Sequence, residues 1–488
     1  MRGLGRCASS SQFSISNRIS SKLFLLLGSL CQFVGWKILL FLVFFFFFTY
    51  SCCAKRFRTR LLVMSLSTRS ARCAALMAEP DELYPEKIIY PRNTRTLTKT
   101  SVVGGKPIDE KTCMALRTLV FGSCATPPRP EWARTGFTLR PYGQSLAFGL
   151  RAPRNTTRAL VTAVQAVMLK HFLFKSKRRD SHPESLLKPS YDRQIDALTS
   201  TIAEIVWRCA GGFAVQNVGC SPSQSVGGNE NVSTAVVVLP QETPYVQHSV
   251  QYFQDGLTET LHLFEFESLD DLEIFIKRYL YLFQDEGSPG AILLLYSAVL
   301  SRGLSKVKID LENPRSSMLS GCPEEGSISV VIFSLTGRAS PHLHNGVLHV
   351  GDENTYAIPQ WGVLARSEIG FLVHEGDGQS SKQPGSRLKT PNLPIWVTLC
   401  HGHHGVLFNT NRELLRNYHA ERRFEIQYFT CGGSHAILTV DTRSNSGNES
   451  ELEGPSKECT DMAATPLEKL IRSKWQDAYI QWNGAPLV

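Results

Sequence analysis

The sequence predicts a mixed fold of helices and strands, because patterns of both kinds recur along the chain. Apolar residues recur at helical spacing from Leu160 to Leu173 and again in residues 191–209, so each run predicts a helix with a buried face. Residues 422–430 and 436–442 are typical of two strands that form a hairpin around a Cys-Gly-Gly turn. With 488 residues and 42% hydrophobic content, the chain can bury a large core.

The positive charge of the chain is concentrated near its N-terminus. Residues 1–80 carry eleven Lys or Arg and one acidic residue, so the rest is close to neutral although the whole chain has a net charge of +9. This distribution argues against a nucleic-acid interface on the folded part. The thirteen cysteines include no CxxC pair, which favours a reduced, cytoplasmic protein over a disulfide-linked secreted one. No cofactor is expected.

Residues 23–54 form an apolar stretch in which Lys37 is the one charge, and its length is close to that of a bilayer-spanning segment. Two interpretations stay open. The stretch is a membrane anchor, or it belongs to a leader that is not part of the working protein, since Met64 or Met77 can each begin a chain with the whole compact region. Basic residues are denser after the stretch than before it, which favours a cytoplasmic C-terminal domain.

The most informative stretch is residues 147–174, which predicts a short strand or turn, then a loop, then a buried helix. Cysteine hydrolases place their nucleophile where a loop enters a helix, because the helix N-terminus lowers the pKa of a thiol. The residue at the mouth of this helix is Arg158. A guanidinium group cannot act as the nucleophile.

The same stretch resembles the MINDY family of deubiquitinases, in its third-and-fourth-member branch. That family has Gly-Leu, a Gln, Gly-Gly-Pro-Cys-Gly and an apolar helix with Ala-Val-Gln; here Gly149-Leu150 and residues 163–165 match both ends without a gap. The resemblance places Arg158 in the nucleophile slot and Ala152 in the slot of the Gln that helps to build the oxyanion hole. Residues 155–157 (NTT) replace Gly-Gly-Pro. The resemblance therefore implies a pseudoenzyme that keeps the frame of the site and lacks its chemistry.

A second informative stretch contains a cluster of histidines. Residues 393–397 (LPIWV) lead into residues 398–408 (TLCHGHHGVLF), which we interpret as a buried strand interrupted by a site. In the family, a similar strand leads into Ser-His-Phe-Ser-Val-Leu-Phe, and its His is the general base. The gapless match places His403 in the base slot and His404 where the family has an aromatic residue.

The histidine cluster has two other interpretations. Cys400, His401, His403 and His404 are all metal-ligand types, but side chains alternate along a strand, so four cannot converge on one ion. A two-ligand site completed by residues from elsewhere stays open. So does the interpretation that these histidines lie at a strand end and have no role.

The resemblance extends over residues 112–488, which we interpret as one MINDY-like domain with insertions near 211–241 and 444–458. Residues 1–63 are then the leader and residues 64–111 a polar linker. The resemblance also includes three further segments: residues 335–339 (LTGRA), 366–372 (RSEIGFL) and 474–484. Without the family, residues 330–338 (VVIFSLTGR) would predict a strand that ends in a Gly turn.

The resemblance implies a papain-like α+β cysteine-protease fold of the MINDY type and polyubiquitin as the substrate class, with a preference for lysine-48-linked chains. The first hypothesis is a catalytically inactive deubiquitinase-like protein that binds polyubiquitin. The second is an active deubiquitinase that uses another thiol such as Cys124, although Pro127, Pro128 and Pro130 make a stiff loop there. The third is a membrane-tethered scaffold in which residues 23–54 carry the function.

Overall fold

The computed structural model describes residues 99–175, 183–212, 233–313, 315–319, 324–351, 357–376, 383–443 and 464–484. These residues belong to one compact unit that begins at residue 96. The apolar stretch at 23–54, the leader and the insertion at 444–458 lie outside the described residues, so those predictions stay predictions.

The described residues combine helices with antiparallel sheets, which confirms the mixed α+β class. The helices are α1 (Glu110–Phe121), α2 (Arg158–Leu173), α3 (Pro183–Leu186), α4 (Tyr191–Cys209), α5 (Leu269–Arg278), α6 (Tyr281–Gln284), α7 (Gly290–Arg302), α8 (Leu304–Asp310), α9 (Ile328–Thr336), α10 (Ser386–Lys389), α11 (Tyr418–Arg422) and α12 (Pro466–Arg472). The strands are β1 (Lys106–Pro107), β2 (Thr138–Leu139), β3 (Leu150–Arg151), β4 (Ala235–Pro240), β5 (Leu261–Phe266), β6 (Val347–Val350), β7 (Ile358–Trp361), β8 (Gly370–His374), β9 (Ile395–Cys400), β10 (His403–Phe408), β11 (Arg423–Phe429), β12 (His435–Asp441) and β13 (Tyr479–Trp482).

The largest sheet has six strands in the order β13-β12-β11-β10-β9-β8. All neighbours pair antiparallel except β8 and β9, which are parallel. Helix α2 packs on one face against β9 and β10, and α12 packs at β8 and β9 on the other. Alternation along β9 explains this arrangement: Val397 and Leu399 join the core that contains α2, whereas Trp396 joins the core that contains Trp475. The predicted hairpin of β11 and β12 is confirmed.

A smaller sheet, in the order β1-β5-β4, packs against α7. Its strand β4 corrects one prediction, because it lies inside the segment 211–241 that the sequence assigned to an insertion. Residues Val237, Val238 and Leu239 of this strand are fully buried. The many Gly, Ser and Asn residues upstream concealed a short apolar run, and residues 213–232 lie outside the described part of the chain. Strand β1, at residues 106–107, shows that the segment expected to be linker contributes to this sheet.

Helix α2 is buried on almost every side, as the sequence predicted, and it is fixed to the preceding segment. Gln165 makes two buried hydrogen bonds: its side-chain amide donates to the Phe148 carbonyl at 3.0 Å, and its oxygen accepts from the Leu150 N–H at 2.6 Å. These bonds hold β3 against the helix. They therefore define the path of the loop at residues 152–157 that enters the helix N-terminus.

Residues 328–336 form helix α9, so the strand predicted for 330–338 is wrong. The run is apolar throughout, and periodicity alone cannot separate a buried strand from a buried helix of this length. Two local features decide for the helix. The Ser327 side chain accepts a hydrogen bond from the Ser329 N–H, and Gly337 ends the helix in the left-handed conformation at φ 76°.

Among the described residues, none of the helices by itself has both the length and the hydropathy of a membrane span. Helices α7 and α8 satisfy those criteria when they are taken together, with a bend of 93° between them. Most of α7 is buried inside the protein.

Candidate functional site

The site lies where the N-terminus of α2 meets the β9–β10 hairpin. Arg158 is the first residue of α2, and its side chain is only 10% exposed. Its Nη2 donates to the Ala152 carbonyl at 2.7 Å and its Nε donates to the Pro153 carbonyl at 3.2 Å. The guanidinium therefore folds back over the entering loop and fills the space beside Ala152.

The histidine stretch forms a tight hairpin rather than the single interrupted strand that the sequence predicted. His401 and Gly402 both have positive φ, at 47° and 79°, and they form the two-residue turn between β9 and β10. Because Cys400 lies before the turn and His403 and His404 lie after it, the alternation of side chains along a single strand does not describe how they are arranged. Within the described residues there is no group of three or more His, Cys, Asp or Glu side chains that could hold a metal ion.

The structure brings His403 and Arg158 to the same carboxylate, that of Glu325. His403 Nδ1 lies 3.0 Å from Glu325 Oε1, and Arg158 Nη1 lies 3.6 Å from the same oxygen. The Glu325 side chain is 1% exposed. Its other oxygen accepts the backbone N–H of His404 at 2.8 Å. The two predicted slots are therefore bridged by a buried acid.

The hydrogen-bond partners of His403 define its tautomer. Arg154 Nη2 lies 3.3 Å from His403 Nε2, and a guanidinium can only donate, so Nε2 is the acceptor. Nδ1 then carries the proton and donates it to Glu325. This is how the carboxylate of a catalytic triad orients the imidazole of its base. Glu325 is thus placed to orient the imidazole of His403, the residue predicted for the base slot, and it also lies beside Arg158, the residue predicted for the nucleophile slot.

Sequence reasoning missed Glu325. It precedes α9, and its backbone carbonyl accepts the N–H of Ala159 in the first turn of α2 at 2.8 Å. The close approach requires Gly326, which has φ +111° and where a Cβ would lie 2.6 Å from both the Ala159 Cβ and the Thr156 carbonyl oxygen. The available signal was the pair Glu324-Glu325 followed by glycine, but only the fold shows that it faces the site.

The thiols of the described residues offer poor nucleophiles. Burial raises the pKa of both Cys400 and Cys431 to about 11. Cys431 is near the site, since its carbonyl accepts the Ala152 N–H at 3.1 Å, but its thiol is fully buried. Cys124 follows the C-terminus of α1, and its thiol donates to the Gln251 carbonyl at 3.1 Å. A helix C-terminus does not stabilise a thiolate.

His404 points into the core, its ring is fully buried, and neither ring nitrogen has a hydrogen-bond partner among the residues that the structure describes. Burial lowers the pKa of His404 to about 4; the positive charge of Arg158 acts in the same direction, and Glu325 opposes both. An aromatic residue would occupy this position without the buried polar atoms. The family pattern has an aromatic residue there.

We expect His404→Phe to flatten the acid side of the stability profile. A histidine whose folded pKa is depressed stabilises the protein fully above pH 6.5 and less as the pH falls towards 4. Between pH 7.5 and pH 5 this group costs the wild type about 2 kcal/mol, which the variant would not lose. Urea unfolding at both pH values measures the difference, and His419→Phe, at an exposed position of α11, is the matched control. The same pH dependence in both variants would contradict the expectation.

Comparison with known proteins connects this geometry to a family. The family model "Deubiquitinating enzyme MINDY-3/4, conserved domain" matches residues 117–484. "Probable ubiquitin carboxyl-terminal hydrolase MINDY-4" is 33% identical over 414 residues in Mus musculus, covering 83% of this chain and 50% of the relative. The Homo sapiens protein of that name is 30% identical over 413 residues, covering 83% and 49%.

"Ubiquitin carboxyl-terminal hydrolase MINDY-3" of Homo sapiens is 25% identical over 311 residues, which covers 62% of this chain and 66% of the relative. The chain spans about half the length of the MINDY-4 relatives it matches. No solved structure matches it significantly. The family domain includes α2, α9 and the β9–β10 hairpin, so the whole site lies inside it. The chain belongs to the MINDY-3/4 family of deubiquitinating enzymes.

Proposed function

We propose that this protein is a deubiquitinase-like pseudoenzyme that binds polyubiquitin without hydrolysing it. The observation that carries the proposal is the position of Arg158. It stands at the helix N-terminus that would present a thiol, and it is tied to the loop carbonyls and to Glu325. Family membership supports ubiquitin as the partner.

Two chemical functions are missing from the site. A guanidinium has no nucleophilic lone pair at neutral pH, so Arg158 cannot attack an isopeptide carbonyl. Ala152 has no side-chain amide, so it cannot donate to an oxyanion. His403 and Glu325 remain as a base and its orienting acid, but a base accelerates acyl transfer only when a nucleophile is available to deprotonate.

We also propose that the domain has a papain-like arrangement. A buried helix whose N-terminus faces a histidine on an antiparallel sheet supports this proposal. The preference for lysine-48-linked chains and a cytoplasmic location are proposals that come from the family resemblance and the cysteine pattern. An anchoring role for residues 23–54 is tested by cell fractionation of chains with and without residues 1–63.

The test pairs binding with cleavage on the full chain. Lysine-48-linked tetraubiquitin is titrated against the protein by interferometry, and cleavage of the same chains is followed on gels. We expect binding without cleavage, and weaker binding of lysine-63-linked tetraubiquitin. Cleavage would overturn the proposal and favour an enzyme that uses another thiol, which a ubiquitin-propargylamide adduct would locate. If the protein neither binds nor cleaves the chains, the result would favour the scaffold hypothesis.

A further inference from the structure

A cavity of about 450 Å³ lies at the C-terminal end of α2, at the opposite end of the helix from Arg158. Cationic side chains dominate its lining. Those that matter to the argument are Lys170, Phe174, Lys175, Glu368, Arg412 and Arg416. The lining therefore carries four cations and one carboxylate.

The inner wall of the cavity is rigid and charged. Lys170 is 2% exposed and is held between Glu204, at short distance, and Glu368, at 2.7 Å. Glu204 also binds Lys175 at 3.0 Å and Arg208 from the same helix. These pairs fix the ammonium groups in place before any ligand arrives, which lowers the entropic cost of binding.

The outer wall has cationic groups with little neutralisation. Arg416 is 51% exposed, and the nearest oxygen of its ion-pair partner Glu413 lies 4.0 Å away, at the limit of an ion pair. Arg412 is exposed, and no acid pairs with it among the described residues. Both arginines stand on or beside the 3-10 turn that follows β10. Their forked donors match phosphate oxygens in geometry as well as in charge.

We propose that this cavity binds a small ligand that carries two or more linked phosphate groups. Glu204 and Glu368 offset the charges of Lys170 and Lys175, so Arg412 and Arg416 supply the cationic excess of the lining, which a multivalent anion complements. The volume fits a small molecule rather than a folded partner. The ring of Phe174 supplies an apolar wall for the organic part of such a ligand. The proposal does not depend on ubiquitin binding. Among the described residues, no hydrogen bond joins a lining residue of the cavity to the site around Arg158 and Glu325.

Inorganic pyrophosphate is the probe, titrated into the full chain by calorimetry at fixed ionic strength, with sulfate as the comparison anion. We expect pyrophosphate to bind and to bind more tightly than sulfate. Removing two arginine forks should weaken pyrophosphate binding by at least about tenfold in the double variant Arg412→Ala, Arg416→Ala. Both positions are exposed, so the fold should tolerate the changes.

Two further variants test whether the effect is specific to the cavity. Arg134→Ala removes an exposed arginine elsewhere in the chain, and it should leave binding unchanged. Glu368→Gln removes the one acid of the lining and should tighten pyrophosphate binding several-fold. The proposal is overturned if wild type does not bind pyrophosphate, if sulfate binds equally well, or if the double variant binds as tightly as Arg134→Ala.

Discussion

Introducing a cysteine nucleophile and a glutamine amide into the site is expected to give the protein deubiquitinase activity. The double variant Arg158→Cys, Ala152→Gln should cleave lysine-48-linked tetraubiquitin at least about 10²-fold faster than the wild type, the lower end of what general-base catalysis contributes. The wild type already holds His403 in the tautomer that can accept a proton at Nε2, with Nδ1 bonded to Glu325 at 3.0 Å. A cysteine at 158 would begin α2, where the helix dipole favours a thiolate.

Space and mobility both favour this result. Shortening Arg158 removes the guanidinium that bonds the Ala152 carbonyl at 2.7 Å, and this frees volume for the longer glutamine. Arg154, which lies 3.3 Å from His403 Nε2, is 57% exposed, so it can swing away from the imidazole when a thiol approaches.

The controls separate a restored mechanism from an accidental thiol reaction. Adding His403→Ala to the double variant should abolish cleavage, and Arg158→Ala with Ala152→Gln should leave the protein inactive. Formation of a ubiquitin-propargylamide adduct, located by mass spectrometry, measures nucleophile reactivity directly. An adduct on any other cysteine, or cleavage that persists without His403, would contradict the assignment of the base slot.

The substitution Glu204→Gln on α4 is expected to have the second large effect, a loss of stability. Glu204 is 3% exposed and pairs with Lys170, Lys175, Arg208 and His171. Its loss leaves Lys170, which is 2% exposed, with Glu368 alone. Because an uncompensated buried charge is costly, we expect unfolding by urea to require about 3–5 kcal/mol less free energy.

An exposed pair between α4 and α5 provides the matched control. Asp196 and Lys277 form a salt bridge at 2.7 Å, with their side chains 61% and 58% exposed. Asp196→Asn should cost less than about 1 kcal/mol, because solvent screens the pair. Equal losses from Glu204→Gln and Asp196→Asn would show that the buried cluster contributes no more than a surface pair.

The same cluster makes stability fall in acid. Burial of Glu204 opposes its ionisation, but Arg208, His171 and Lys170 outweigh that effect and hold the pKa of the carboxyl well below its usual value of 4.5. A carboxyl with a depressed folded pKa stabilises the protein above the unfolded pKa, and this stability is lost as the pH falls below about 4.5. Glu204→Gln should therefore flatten the stability profile below that pH.

The sequence predicted two of the helices correctly, and its resemblance to the family assigned Arg158 and His403 to two slots. Helix α4 was predicted at its full extent, and the helix that begins at Arg158 was predicted with its buried character, because helical periodicity is a local property of the chain. The slots of Arg158 and His403 came from gapless family motifs. The structure brings both residues to one place, although their catalytic roles stay predictions.

Tertiary structure decided what the sequence pattern could not. Residues 235–240 form a buried strand at the end of a segment rich in Gly, Ser and Asn, because packing partners override short-range pattern. The bridge through Glu325 depends on three segments distant in the chain, which meet because Gly326 admits close contact with α2. The spacing of residues in the sequence does not predict that these three segments come into contact, since long-range contacts are fixed only when the whole core packs.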